Sequence, residues 1–237
     1  MIFQEIIGRF KSTAEKMFEK AVSFNFKNII KLAELNSEAR FVDLGCDDGN
    51  ITLIIAKKIK TNDISGVEIA DKKAKLAEER GVCVYKFDLN GAFDLQSNYF
   101  DVVHANQVIE HLTNSDNFLS EIYRILKPGG YAIISTENAS SWCNVFSSLM
   151  GWQIFSLTNF SKKKSGIGNP FSLHAEMKLI DYWGHIRIYN IRGLKEYLEA
   201  YDFRVEDIAG AGYFPFPAWF GNIDKTHSHF MTFKIRK

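Results

Sequence analysis

The chemistry in this chain concentrates in one short run, Phe41-Val-Asp-Leu-Gly-Cys-Asp-Asp-Gly-Asn50. An apolar segment enters a glycine turn, and a helical pattern starts near Asn50. Glycine lets a ligand approach the backbone closely, and a helix start offers unused N–H donors. A pyrophosphate is the usual guest of such a turn, but Asp43, Asp47 and Asp48 would repel it. Three carboxylates can instead accept hydrogen bonds from a cationic amino-acid group. The glycines are spaced G-x-x-x-G, unlike the G-x-G-x-x-G of dinucleotide enzymes. Two further acids extend the pattern. Glu68 ends a second apolar segment 23 residues after Gly45, where an acid accepts hydrogen bonds from ribose hydroxyls. Asp88 ends a third, where a carboxylate can meet the exocyclic amine of a base.

Histidine is the natural proton acceptor near neutral pH. The six are His104, His111, His174, His185, His227 and His229. His111 follows Glu110 just beyond a fourth apolar segment, at the edge where open α/β sheets bind ligands. It reads either as a base or as a helix-start residue bonded to backbone. His185 lies in Gly-His-Ile-Arg-Ile-Tyr, with Arg187 and Tyr189 alternating behind it. Base chemistry or substrate positioning stands there against a packed, salt-bridged connection. His104, inside a strand, reads as structural. His174 reads as a pocket-lining residue, and His227 and His229 as surface or edge residues. The run Lys162–Lys164 is a solvated loop or a contact for an anionic group. No zinc spacing, P-loop or nucleophile elbow occurs, so no metal is expected.

The elements that must position these groups follow from periodicity. Residues 2 to 22 have apolar positions at a helical spacing, with Glu5, Arg9, Lys11, Glu15, Lys16 and Lys20 opposite. This amphipathic helix covers the core or a cleft, or makes a membrane-surface or partner contact. A short helix is expected over 27 to 35. From Arg40, strands (FVDLG, DISGVEIA, VCVYKFDL, FDVVHAN, YAIIST) alternate with helices (from Asn50; DKKAKLAEER with Asp71 as N-cap and Gly81 as stop; SDNFLSEIYRIL ended by KPGG). That order means a parallel sheet with crossover helices. Residues 138 to 190 break the alternation with Trp142, Phe146, Trp152, Phe155, Phe160, Phe171 and Trp183, which reads as an insertion over the carboxyl edge of the sheet. A helix from near Ile191, a strand FRVEDIAG, a loop GAGYFPFPAWFGN and a strand HFMTFKIRK complete the chain.

The combination DLGCDDG, GVEI, FDL, DVVHANQVIEHL and LKPGG resembles the S-adenosylmethionine-dependent methyltransferases with a Rossmann-like fold, in particular the small-molecule and glycan-type group. The match covers about residues 38 to 137. The resemblance implies an α/β fold with a seven-stranded, mostly parallel sheet, the last strand antiparallel, helices on both faces and an aromatic-rich cap insertion. It divides the chain into an N-terminal helical segment (1–37), a cofactor core (38–137), a cap (138–190) and a completing helix and strands (191–237). It implies that Asp43 and the turn Gly45, Cys46, Asp47 to Gly49 hold the methionine moiety of S-adenosyl-L-methionine. Glu68 would take the ribose hydroxyls and Asp88 the adenine end. Ile69 and Leu89 would flank the base, and Asn106 and Gln107 would lie near the transferred methyl. The family often has glycine where this chain has Asp47, and Asp tolerates left-handed backbone better than most residues. Family members associated with sugar and polysaccharide biosynthesis carry a similar H-x-R before the last helix.

Methyl transfer from a sulfonium needs mainly proximity and orientation, and a hydroxyl acceptor also needs a base. His111 and His185 are the candidates. The expected activity is methylation of a small-molecule, glycan or lipid-precursor acceptor at oxygen. The alternatives are carbon methylation of a quinone-like precursor and a cofactor-binding module without turnover. The Asn-Pro-Pro-Tyr type of motif used on exocyclic amines is absent. A net charge of +1 over 237 residues also argues against a nucleic-acid partner. No run approaches the ~20 apolar residues of a membrane span. The interrupted N-terminus is not a secretory signal, and three unpatterned cysteines suit the cytoplasm. Aromatics make up 14% of the chain, with 20 Phe, enough for both a core and an apolar ligand pocket.

Overall fold

The computed structural model describes residues 2–161, 163–164, 166–172 and 184–237, with side chains from Thr13 onward. The expectations for His174, Lys162, Trp183 and the apolar face of residues 2–12 lie outside the described residues or side chains. Helix α1 runs unbroken from Ile2 to Leu32. The two helices expected over this stretch are one, because Ser23-Phe24-Asn25-Phe26 contains no glycine or proline to stop it.

Seven strands follow in one sheet, ordered β3-β2-β1-β4-β5-β7-β6. They are β1 (Arg40–Leu44), β2 (Asp63–Val67), β3 (Cys83–Tyr85), β4 (Phe100–Asn106), β5 (Leu126–Glu137), β6 (Arg204–Ala211) and β7 (Phe230–Arg236). The pairings β1–β2, β1–β4, β2–β3 and β4–β5 are parallel. The chain reverses strand order at β1, leaving β2 and β3 on one side and β4 on the other. In doubly wound sheets that switch point is where ligands bind.

Helices α2 (Asn50–Ile59), α3 (Asp71–Glu79), α4 (Ser115–Ile125), α5 (Trp142–Leu149) and α6 (Ile191–Ala200) connect or follow the strands. Helix α2 buries Thr52, Ile55, Ala56 and Ile59, a stripe at i, i+3, i+4 and i+7. Helix α4 buries Phe118, Leu119, Ile122 and Ile125, and the Asn114 side chain caps it by accepting from the Asn117 N–H. Several details differ from expectation: α4 stops at Ile125 and Lys127-Pro-Gly-Gly lies within β5 rather than between the helix and the strand. Asp71 is the first helical residue rather than the cap, which is Ala70. β3 stops at Tyr85 because β2, its partner, ends at Val67 in the matching register. Asp88 therefore lies beyond the strand, in a turn. The last loop contains a short 3-10 helix, Ala218–Asn222.

The chain divides into two compact units. The sheet unit comprises Lys27–Thr136, Arg192–Ile208 and Thr232–Lys237; the aromatic unit comprises Met1–Phe26, Glu137–Ile191 and Ala209–Met231. Phe41, Leu44, Ile55, Ile59, Phe118 and Phe233 are fully buried in the former. In the latter, Ala21, Ala211 and Phe230 form a small core with Phe18, Val22 and Phe24 packed on it. Among the described residues, no helix is long and apolar enough to cross a membrane.

Candidate active site

In the sheet unit the turn after β1 is fixed by its own backbone. The Gly45 and Cys46 N–H groups both donate to Val67 O, at 2.8 and 3.0 Å, and Gly49 N–H donates to Cys46 O at 2.9 Å. Gly45 and Gly49 both have φ +79°, which only glycine adopts at no steric cost. Asp47 holds φ 49°, the left-handed backbone expected of a residue standing where the family often has glycine. With Gly45, Cys46 and Gly49 spent internally, the turn is not an anion cradle.

The three carboxylates divide. Asp43 is buried, and its two oxygens accept from Thr52 Oγ1 at 2.6 Å and His104 Nδ1 at 2.7 Å. Asp47 pairs with Lys73 at 2.9 Å and Asp48 with Arg80 at 2.8 Å. Of the three only Asp43 is buried, and His104, buried in β4, is bonded to it. Cys46 turns its side chain into a cluster with Ala77 and Val82. Burial, then the Asp43 and Glu68 carboxylates, push its thiol up to about 12. It stays protonated and inert near neutrality, and its backbone N–H and carbonyl are bonded within the turn.

Glu68 sits just past β2. Its Oε1 accepts from Ala70 N–H at 2.8 Å and its Oε2 from Asp47 N–H at 3.1 Å. Each carboxylate oxygen keeps a second lone pair, so Glu68 is a fixed acceptor with capacity for two hydroxyls. Ile69 beside it is half exposed. Asp88 is exposed, its Oδ1 accepting from Asn90 N–H and Nδ2, both at 2.9 Å, and Leu89 is half-buried. At the carboxyl end of β4, Asn106 is followed by Gln107 at φ 56°. Left-handed backbone at a non-glycine residue carries strain that concentrates at functional sites. Gln107 Nε2 is buried with no hydrogen-bond partner. His111 closes a 3-10 turn, Ile109–His111, in which Glu110 is fully buried.

A nucleoside cofactor with an amino-acid tail fits these residues. Its ribose diol matches the two-oxygen face of Glu68, and an apolar ring matches exposed Ile69. A polar atom nearby would also satisfy the orphaned Gln107 amide, which otherwise carries a desolvation cost.

The aromatic unit holds a second polar constellation. Glu137 is buried, with His185 Nδ1 3.9 Å from Oε2 and His229 Nε2 3.9 Å from Oε1. His185 Nδ1 lies 2.7 Å from Ser156 O. A carbonyl only accepts, so Nδ1 carries the proton and the neutral ring keeps its lone pair on Nε2. The His185 backbone N–H donates to Asn159 Oδ1 at 3.3 Å. Ser156 is in turn held by buried Asn144. Asn144 Oδ1 accepts from Ser156 N–H at 3.1 Å, and its Nδ2 donates to Ser156 Oγ at 3.0 Å and Asn138 O at 3.1 Å. His229 is buried rather than at the surface, with the rings of Phe18, Phe155 and Phe230 edge-on around it. Burial lowers its pKa, the Glu137 carboxylate opposing the shift. The sequence reading missed Asn144, Ser156 and His229. Isolated Ser and Asn in an aromatic stretch carry no periodic signal.

A seven-stranded sheet with this strand order, a glycine turn after β1 and a fixed acid after β2 defines a Rossmann-like nucleotide-cofactor protein. The family model for a methyltransferase domain matches residues 14–208. The chain belongs to that family, the S-adenosylmethionine-dependent methyltransferases. A rat ubiquinone biosynthesis O-methyltransferase (Rattus norvegicus) is 23% identical over 209 residues, 84% of this chain and 54% of the relative. A 2-methyl-6-phytyl-1,4-hydroquinone methyltransferase from Synechocystis sp. is 27% identical over 163 residues, 67% of this chain and 44% of the relative. The chain spans about half the length of these curated relatives. An S-adenosylmethionine-dependent methyltransferase structure from Thermotoga maritima shares the fold at TM-score 0.61 and 20% identity, covering 98% of this chain and 99% of that one.

Proposed function

We propose that this chain transfers the methyl group of S-adenosylmethionine to an oxygen of a small-molecule acceptor, with His185 taking the hydroxyl proton. The observation that carries the base assignment is the 2.7 Å contact of His185 Nδ1 with Ser156 O. It fixes the tautomer whose Nε2 accepts. When bound, S-adenosylmethionine supplies a methyl already activated by a sulfonium, so the protein's work is binding, orientation and proton removal.

In this reading residues 38–137 hold the cofactor. Glu68 accepts from the ribose hydroxyls, and Ile69 and Leu89 flank the adenine, with Asp88 at its amine. Asp43 and the turn through Gly45, Cys46, Asp47 and Gly49 face the methionine end, and Asn106 and Gln107 lie near the methyl. Residues 138–190 supply the acceptor contacts. His111 is the alternative base. Two relatives named for quinone-type biosynthesis direct the choice of acceptor toward aromatic rings bearing hydroxyls.

The test incubates the chain with methyl-labelled S-adenosylmethionine and a panel of catechols and hydroquinones. The product is located by mass spectrometry and NMR. A methyl ether formed by the parent and lost in His185→Ala supports the proposal. A methyl on ring carbon selects carbon methylation instead. Loss in His111→Ala alone moves the base to His111. Cofactor binding with no transfer to any acceptor overturns turnover on this class.

A further inference from the structure

The aromatic unit displays a continuous apolar surface. On α5, Trp142, Phe146 and Leu149 fall at i, i+4 and i+7, one stripe of the helix. Phe146 is 53% and Leu149 80% exposed, whereas a surface helix ordinarily buries such a stripe. A second set lies between β6 and β7, where Phe216 is 52%, Trp219 48% and Ile223 69% exposed. The two sets are joined. The Trp142 ring stacks on His227 with centroids 4.4 Å apart, and His227 Nδ1 and the Tyr213 hydroxyl both meet Asp224 Oδ2 at 2.7 Å. Tyr213 packs against Phe216 and Phe220, and Trp219 lies on Phe220 at 4.3 Å. Single exposed apolar residues need no explanation, but a contiguous patch marks an interaction surface.

Lysines accompany these apolar residues along the chain. Lys163 and Lys164 are exposed, following half-exposed Phe160, and Lys225 follows Ile223 and Asp224. Among the described residues of 137–191 and 209–231, the carboxylates are Glu137 and Asp224. Glu137 is buried, and Asp224 accepts from the Tyr213 hydroxyl and contacts His227 Nδ1, each at 2.7 Å. Among the described residues of these two stretches, Lys163, Lys164 and Lys225 carry charge outside such pairs. Two copies meeting symmetrically through the patch would bring these lysines toward one another. An anionic bilayer matches both features, taking Trp and Phe at headgroup depth and lysines against phosphates.

We infer that this surface docks the protein on an anionic membrane interface. Trp219, Phe216 and Ile223 enter the headgroup–acyl boundary with the α5 stripe beside them, and Lys163, Lys164 and Lys225 contact lipid phosphates. This holds whichever atom of the acceptor is methylated, so transfer assays and lipid binding fail or succeed separately.

The full chain is floated with vesicles of equal parts phosphatidylcholine and phosphatidylglycerol, and with phosphatidylcholine alone. It should co-float with the first and largely not with the second. Phe216→Ser/Trp219→Ser/Ile223→Ser should lower partitioning about tenfold or more. Lys163→Glu/Lys164→Glu should lower it on the order of tenfold. Near-ultraviolet circular dichroism checks that each variant is folded. Should a variant not fold, quenching of parent tryptophan fluorescence by brominated phosphatidylglycerol decides. Quenching supports docking, and its absence overturns it. No co-flotation of the parent with anionic vesicles overturns the inference. So does a concentration-dependent dimer that the triple variant abolishes, which would make the patch a contact between copies.

Discussion

The turn after β1 and the constellation around Glu137 solve the same problem, holding polar side chains in place, by opposite means. In the sheet unit the positioning is local and made by backbone. Val67 O ties down Gly45 and Cys46, and the Asp47 and Ala70 amides orient Glu68. In the aromatic unit it is made by side chains far apart in sequence. Asn138, Asn144 and Ser156 support His185, and Glu137 lies between His185 and His229. Backbone geometry tolerates sequence drift as long as glycine stays where φ is positive. A buried side-chain network depends on every member. The proposed function puts cofactor binding in the first region and acceptor chemistry in the second, and on that reading substitutions in each should fail differently.

The largest expected effect is from His185→Ala. General-base catalysis contributes ~10²–10⁴ in rate, so kcat for a hydroxyl acceptor should fall by about that factor. S-adenosylmethionine affinity, measured by calorimetry, should stay within a few-fold of the parent. A variant that loses cofactor affinity instead would erase the division of labour between the two regions.

Glu68→Ala tests the opposite side. Removing the fixed acceptor leaves ribose hydroxyls unmatched, which should cost ~1–3 kcal/mol of cofactor affinity. At saturating cofactor, kcat should be nearly unchanged. Unaltered affinity in the titration would remove Glu68 from the cofactor site.

Asn144→Ala probes whether the side-chain network is a unit. It strands the Ser156 N–H in the interior and removes one of two donors to the Asn138 carbonyl, so unfolding free energy should drop by ~1–3 kcal/mol. Because Ser156 O orients His185, kcat should fall as well at a temperature where the variant is fully folded. Denaturant titration and kinetics on the same sample separate the two effects. A stability loss with kcat intact would leave Asn144 as scaffold only.

These contrasts follow what the sequence made legible. The sheet unit was readable because strand–turn–helix repeats carry periodicity and the glycines mark positive φ. Asp43, Gly45, Glu68 and His104 lie where pattern alone put them. The errors there were of extent. Nothing local says that β3 stops at Tyr85, since that depends on the end of its neighbour β2. Asp47 and Asp48 read as a cluster with Asp43, but they pair with Lys73 of α3 and with Arg80 at its C-cap. In the aromatic unit, His185 stood out through its alternation with Arg187 and Tyr189, but its support did not. Ser156 contributes a backbone carbonyl, which any sequence offers everywhere, and Asn144 a side-chain amide that no periodicity marks. His229 opens a strand beside polar residues and reads as exposed until Phe18 and Phe155 close over it.

The smallest expected effect separates the regions by pH. Burial lowers the His229 pKa below 6.5, so the unfolded chain takes up a proton there before the folded chain does. The stability tied to neutral His229 is whole above 6.5 and drains as pH falls below it. In the sheet unit, hydrogen bonds from Arg236 lead in lowering Glu206 from 4.5 to about 2. Its contribution is whole above 4.5 and is lost as pH falls through about 2. Discounted for partial exposure, that pair amounts to ~1 kcal/mol. All four tryptophans, Trp142, Trp152, Trp183 and Trp219, lie in the aromatic unit's segments, so indole fluorescence reports that unit alone. Thermal melts followed by fluorescence should weaken on acidification from pH 7 to 5, and His229→Gln should flatten that slope. Melts of Glu206→Gln should approach the parent near pH 2, where Glu206 is about half protonated, and fall below it at pH 7. If His229→Gln leaves the slope between pH 7 and 5 unchanged, the buried imidazole is not what makes the aromatic unit acid-sensitive.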